Sequence, residues 1–345
     1  MSARAALFVA ACVKIPFQRY LPCGRWIGRP SRDRLAIARA FLAKSIYGFK
    51  TTRQLIEHLE VDAALRNLCG WTNSLQIPHE STFSRAFAEF ANSGLAHFAH
   101  EAVIKDTQSQ RLIGHISRDS TAIEARERFP ASQRGKVSRS KGKKSKKASK
   151  SAPAPSRLAQ QALRKDGDAM SRELPALCSL GVKKSSRGYQ SYWRGYKLHL
   201  DVADGQIPIT ALLTSASLHD SQAAIPMMHV TSKRVTYLYE LMDSAYDADL
   251  IRQVSARLNH VAIIDTKSPA NQVSQLPMRI KRKTEMAPAQ KTRFRERTSA
   301  ERVNARLKDE FGASHIYVRG GKKVAAHLMF AVLALTIDQL LRLAG

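Results

Sequence analysis

At 345 residues and 44% apolar content, the chain can fill the core of one large domain or two ordinary ones. Lys and Arg total 56 against 28 Asp and Glu, a net charge of +28, which points to a polyanionic partner and away from a specialist for acidic small molecules. Nucleic acid leads that class, with an anionic membrane surface as its rival. Cys12, Cys23, Cys69 and Cys178 show neither paired spacing nor a C-x-x-C, so no disulfide framework or zinc site is expected and a reducing, cytoplasmic setting fits.

In chain order, Ala5–Val13 is a short apolar run like the central part of a secretion signal, but so basic and cysteine-poor a chain is poor secretory cargo. Residues 1–31 are therefore read as an N-terminal extension. From 32 to 110 the apolar residues recur at helical spacing: Leu35, Ala38, Phe41 and Leu42, then Leu55, Ile56 and Leu59, then Phe83, Phe87 and Phe90. Thr51 or Thr52 and the stretch Pro78–Ser81 are start signals for the later helices. This small all-α domain permits a helix-turn-helix reader with Ser81–Phe90 as recognition helix, carrying Ser84 and Arg85; a plain packing bundle fits the pattern equally well.

Residues 111–345 form a second domain. Leu112–Ile116 reads as a short buried strand leading to Asp119. A basic, disordered insert follows at about 131–188. Nine of the seventeen residues from Arg134 to Lys150 are Lys or Arg, so this stretch has no apolar face to bury and reads as a phosphate-gripping arm through residues such as Lys143, Lys144, Lys146 and Lys147. Tyr192, Trp193 and Tyr196 pack a sheet edge or stack on a base. A hairpin follows, one strand alternating Lys197, His199 and Asp201 with Leu198, Leu200 and Val202, the other returning from Ile209 to Ala216. His219-Asp220-Ser221 reads as a loop into a helix cap, because consecutive residues cannot form a nucleophile–base relay. Next come a helix to about Val230, a strand ending at Asp243, a helix near Ala248–Leu258 and a strand Val261–Asp265. Val324–Ala344 is apolar over a membrane's length, but His327, Asp338, Gln339 and Arg342 interrupt it, so a buried helix covering a sheet is expected.

Two strand-end aspartates, Asp119 and Asp243, and a helical Glu301 can converge on a pair of divalent cations, the arrangement used for phosphodiester cleavage in an RNase H-like fold. At about 3.6 residues per turn, Arg297, Glu301, Asn304 and Lys308 share a helix face, with Phe294 beside them. Ala300, Val303 and Leu307 face a core, while Arg295, Arg302, Arg306 and Asp309 face solvent. Three plainer readings compete: Thr298-x-x-Glu301 is also a capping box, Asp243 also suits a helix cap, and Asp119-Ser120-Thr121 also suits a turn. Glu124, Asp201 and Asp247 are reserve ligands.

The series Phe294-x-x-Arg297-x-x-x-Glu301-x-x-x-x-x-x-Lys308 resembles the Tyr, Arg, Glu, Lys signature of bacterial insertion-sequence transposases of the DDE class, with Phe in the Tyr position. Arg118-Asp119-Ser120-Thr121, Gly195-Tyr196-Lys197-Leu198-His199 and Met242-Asp243-Ser244-Ala245-Tyr246-Asp247 resemble other segments of that family. The likeness covers about Leu112 to Gly345, and a weaker one to the family's helical N-terminal domain runs from Arg32 to Val103. It implies an α/β, RNase H-like mixed-sheet catalytic domain preceded by a small all-α domain. It further implies two Mg²⁺ (or Mn²⁺) ions held by Asp119, Asp243 and Glu301, with DNA held by Arg297, Lys308, Asn304 and Phe294; the helical pattern adds Arg85 and the charge run adds the lysines of the arm. The expected activity is cleavage of the element's ends and their joining to target DNA by a homodimer at the nucleoid. A metal-dependent nuclease of the same fold and a non-catalytic DNA-binding protein are the alternatives.

Overall fold

The computed structural model describes residues 2–21, 33–127, 155–184, 189–265 and 286–344. The helical part comprises α1 (Ala3–Lys14), a 3₁₀ turn (Phe17–Arg19), α2 (Arg34–Tyr47), α3 (Thr52–Val61), α4 (Ala63–Cys69), α5 (Glu80–Ser93) and α6 (Leu95–Gln108). Its boundaries follow capping chemistry. Ser2, Asp33, Thr51, Asp62 and His79 each accept a backbone N–H of the helix they precede. Gly94, at φ 70, supplies the left-handed residue that ends α5 and lets α6 begin.

The sheet domain follows in the order β1 (Leu112–Glu124), α7 (Arg157–Ala162), α8 (Gly167–Glu173), β2 (Ser179–Lys184), β3 (Gln190–Ala203), β4 (Ile207–Ser215), α9 (Ser221–Ser232), β5 (Thr236–Met242), α10 (Asp249–Arg257), β6 (Val261–Ile264), α11 (Pro288–Phe294), α12 (Thr298–Asp309) and α13 (Gly321–Ala344). β1 is central, antiparallel to β3 and parallel to β5; β6 adds in parallel beyond β5, and β4 pairs antiparallel with β3. This mixed sheet, antiparallel on one side and parallel on the other, has the RNase H-like arrangement, preceded by an all-helical region as expected. Helix α12 packs on β1 and β3, and α9 on β3 and β4.

Three expectations need correction. Asp119 lies inside β1, five residues before its end, because pairing with β3 continues to Glu124. Residues 155–184, assigned from composition to a disordered insert, carry α7, α8 and β2: Ala162 and Met170 are buried against α9 and α10, an apolar anchor that a charge-weighted reading passes over. Helix α1 is part of the core rather than an appendage, with Leu7, Phe8 and Ala11 buried beside α2 and α13.

Helix α13 explains why the two parts pack together. It contacts α1, α2, α5, α6, β4 and α12, and Phe330 lies against Phe17, Phe41 and Phe87, with ring centroids 5.9, 6.0 and 6.4 Å away. By length and composition it can cross a membrane, but 78% of its apolar window is buried inside the protein. A helix apolar on all sides must be surrounded, and here the N-terminal helices complete what the sheet leaves open.

Candidate active site

The register of the central strands builds the site. Arg118 pairs with Met242 across the parallel β1–β5 ladder, so the next residue on each chain, Asp119 and Asp243, emerges side by side at the edge where β5 ends. Ligand sites in open sheets gather at the carboxyl ends of parallel strands. Asp243 accepts the Ala245 N–H at 2.9 Å and so caps a 3₁₀ turn while still facing the site. Helix α12 is tied down at its start, where Ser117 Oγ donates to the Glu296 carbonyl at 3.1 Å. Ala300, Val303 and Leu307 anchor it in the core, as their spacing predicts.

On the exposed side of that helix, Arg297 Nη2 donates to Glu301 Oε1 at 2.8 Å, and the same guanidinium lies 5.8 Å from the centre of the Phe294 ring. Thr298 Oγ1 donates to the Arg295 carbonyl and accepts nothing from Glu301, so the capping-box reading does not hold. Asn304, expected to face DNA, is buried at 6% exposure, and its Nδ2 donates to Asp119 Oδ2 at 3.3 Å. Arg306, expected in solvent, turns inward to Asp338 and Gln339 and also pairs with Glu310.

Asp119 lies in the field of both other acids. Burial pushes the Asp119 carboxyl up to about 6; Asp243 and Glu301 add to the rise, while the Ser120 N–H and Arg297 oppose it. Asp243 is also raised, first by burial and then by Asp220 and Asp265, with Ala245 N–H and Arg297 opposing. Among the described residues neither aspartate forms an ion pair. Lys308 is held below its usual value by burial and by Lys183, with Glu124, Asp309 and Asp119 acting the other way.

The opposite face of the same strand is closed. Arg118, 1% exposed, donates to both oxygens of Asp201 at 2.7 and 2.8 Å and lies 3.6 Å from Glu240; both acids are 0% exposed. Thr231 Oγ1 donates to Asp201 at 2.6 Å and Tyr237 donates to Glu240 at 2.7 Å. Asp201 is thus removed from the reserve ligands: it serves a buried ion network.

Comparison with known families agrees with this geometry. A profile described as Transposase DDE domain matches residues 113–337. A second, described as Transposase domain (DUF772), matches residues 16–89. The chain belongs to the DDE transposase family. No curated protein matches the chain.

Other sequence candidates in this transposase sort by position. Arg85 is exposed on α5, where its Nε donates to the Ser81 carbonyl at 3.3 Å. Asp247 pairs with Arg252 at 2.8 Å. His219 Nδ1 accepts the Ser221 N–H in the loop entering α9, while Asp220 at the cap position makes no side-chain capping bond. Trp193 donates to the Tyr196 carbonyl and Tyr196 is buried, so those two rings pack the sheet, whereas Tyr192 is exposed. Lys143, Lys144, Lys146 and Lys147 lie outside the described residues. Asp220 and Asp265, both in the field of Asp243, were missed; Asp220 is held by Lys197 at 2.9 Å. Asp220 stood in the sequence only as part of a cap, and nothing in its local pattern marks a contact with a strand 23 residues away in one case and with Asp243 in the other.

Three carboxylates, two of them desolvated and unpaired, are a donor set suited to a hard divalent cation. The set is not preassembled: among the described residues no three acidic, His or Cys side chains stand at metal-holding separation, and Glu301 is turned toward Arg297. The chemistry of the donor set fits a metal, while Glu301 is held by Arg297.

Proposed function

We propose that this transposase cuts DNA at the ends of an insertion element and joins those ends to target DNA, with Asp119, Asp243 and Glu301 as its metal-holding residues. One observation carries the reading: Asp119 and Asp243 directly follow the paired residues Arg118 and Met242 of adjacent parallel strands, neither forms an ion pair among the described residues, both are raised by burial, and Asp119 lies in the field of both Asp243 and Glu301 on α12. Keeping two such carboxylates together opposes stability, and that arrangement persists where a positive ligand is to be bound. A divalent cation, when bound, supplies Lewis acidity toward the scissile phosphate and lowers the pKa of an attacking water.

The chain's own residues do the rest. Asn304 orients Asp119 through its amide, so its role is to position a ligand rather than to touch DNA. Arg297 neutralises Glu301 until that carboxylate is drawn inward, and is then free to hold a backbone phosphate. Lys308, near enough to Asp119 to feel its charge, holds another. Phe294 offers its ring beneath the Arg297 guanidinium, a contact that does not require the tyrosine hydroxyl.

The test is a cleavage and strand-transfer assay with labelled DNA ends, beside a DNA-binding measurement. Asp119→Asn, Asp243→Asn and Glu301→Gln should each lower cleavage by on the order of 10³-fold or more while leaving DNA affinity nearly intact, and pairs of changes should add little. Wild-type cleavage by any one variant removes that residue from the site. Cleavage without joining converts the reading to a nuclease.

A further inference from the structure

Helix α12 offers Asp119 an amide where the sequence promises a carboxylate. Glu301 is exposed and bonded to Arg297, whereas Asn304, one turn further along, is 6% exposed and donates from Nδ2 to Asp119 Oδ2 at 3.3 Å.

That contact fixes which way the amide faces. A carboxylate oxygen accepts and does not donate, so the NH₂ end is turned toward Asp119 and the carbonyl oxygen is committed to the other end. Asn304 Oδ1 is buried and has no hydrogen-bond partner among the described residues. Bond lengths put the two ends of an amide about 2.2 Å apart, so this oxygen lies within about 5.5 Å of Asp119 Oδ2.

The rest of the buried face of α12 is satisfied. Ala300, Val303 and Leu307 are apolar, and the Ser299 hydroxyl donates to the Glu296 carbonyl. Asn304 alone among these buried residues keeps an open polar atom. A buried acceptor without a donor opposes folding, and it persists where a ligand completes it.

The neighbours select the class of ligand. Asp119 and Asp243 form no ion pair among the described residues, and a hard divalent cation neutralises carboxylates as no neutral donor can. A small ion such as Mg²⁺ keeps several of its waters, and their hydrogens need acceptors. A side chain that donates to the ligating carboxylate and also presents a free acceptor beside it suits both demands.

We propose that Asn304 is a positioning residue of the cation site: its Nδ2 orients Asp119 and its Oδ1 accepts a hydrogen bond from the ion's hydration water. This rests on the metal-holding assignment of Asp119 and Asp243 above, and it draws on a group of α12 other than Glu301.

The experiment titrates the full chain, without DNA, with Mn²⁺ and follows free Mn²⁺ by its electron paramagnetic resonance signal. In Asn304→Ala the dissociation constant should rise about 10- to 100-fold. Its unfolding midpoint in chelator should stay close to that of wild type, because the open acceptor leaves with the amide. Asn304→Leu fills the same space without polar atoms and should bind as weakly, which excludes a cavity as the cause. Asn304→Asp loses the donor but keeps an oxygen and adds a charge; it should be less stable in chelator yet bind Mn²⁺ at least about tenfold more tightly than Asn304→Ala. Ser299→Ala, which removes a buried bond elsewhere on α12, should leave the constant unchanged. Wild-type affinity in Asn304→Ala or Asn304→Leu overturns the proposal and leaves the two aspartates standing as ligands. So does an equal loss in Ser299→Ala, which assigns the effect to a loosened helix, or binding by Asn304→Asp no tighter than by Asn304→Ala. A wild type that binds no Mn²⁺ removes the aspartates' assignment as well. Circular dichroism in chelator separates lost binding from lost folding.

Discussion

Arg118 and Asp119 are neighbours on β1, and the two-residue period of a strand sends them to opposite faces of the sheet. Arg118 enters a closed face where guanidinium, two carboxylates, a threonine and a tyrosine bond or pair with one another away from solvent, Glu240 Oε2 being left without a partner among the described residues. Asp119 enters an open face where acids crowd it, relieved in part by an amide, a backbone N–H, a shared guanidinium and the charge of Lys308. Both faces hold buried charge. In one the charge is spent on holding β1, β3 and β5 together; in the other it is left available to a ligand. The closed network also sets the register that brings Asp119 level with Asp243, so one face supplies the geometry and the other the chemistry.

The contrast is sharpest when one member is removed from each face. On the open face, Asp119→Asn should abolish cleavage with the fold intact. On the closed face, Arg118→Met leaves Asp201 and Glu240 buried without their cation and should lower the unfolding free energy by about 3–5 kcal/mol, read from urea denaturation. A loss below about 1 kcal/mol there would show that water reaches the network and that the two faces are not different in kind.

Acid should act on the faces in opposite directions. The folded-state pKa of Asp119 is raised, so its ionisation opposes folding above about pH 6 and that opposition fades as pH falls. His199, fully buried on the closed face, is lowered to about 4 by burial, so the stability of its neutral form is present above the unfolded value near 6.5 and is lost as pH falls below it. His100 and His327, each lowered to about 3 by burial, act in the same sense. Between pH 7.5 and 5 the two effects partly cancel in the wild type. Asp119→Asn removes one of them and should lose stability more steeply on acidification; parallel pH profiles for the two proteins would break the comparison.

The smallest effect concerns the arm from Arg134 to Lys150. Replacing its Lys and Arg residues by Ser should weaken binding to all DNA sequences alike and flatten the salt slope, without changing the stability of either face. An unchanged slope would make it a passive linker.

Much of the open face was legible in the sequence because its logic is local. The spacing from Phe294 to Lys308 follows from helix geometry, and the apolar runs before Asp119 and Asp243 mark strands. The closed face was not legible: Arg118 and Asp201 are 83 positions apart, Arg118 and Met242 124, and no period connects them. Asp201 read as an alternating polar residue of a hairpin and so as a spare ligand, whereas it is buried by α9 packing over β3 and β4. Asn304 erred the other way. Helical arithmetic placed it correctly beside Glu301 but could not say that the strand carrying Asp119 lies within reach of its amide. The order hidden in residues 155–184 was masked by the charge of the stretch before it.

The central claim is that the strained carboxylates of the open face are kept for a divalent cation, and the measurement that tests it most directly is unfolding free energy with and without Mg²⁺ for the wild type and Asp119→Asn. In chelator at pH 7.5, Asp119→Asn should be the more stable protein by about 1–3 kcal/mol, since it removes a carboxylate that burial has made hard to ionise. Added Mg²⁺ should stabilise the wild type, by about 1.4 kcal/mol at tenfold over the dissociation constant, and leave the variant nearly unmoved. A wild type indifferent to Mg²⁺ and to Mn²⁺, or a variant less stable than wild type in chelator, would contradict the account.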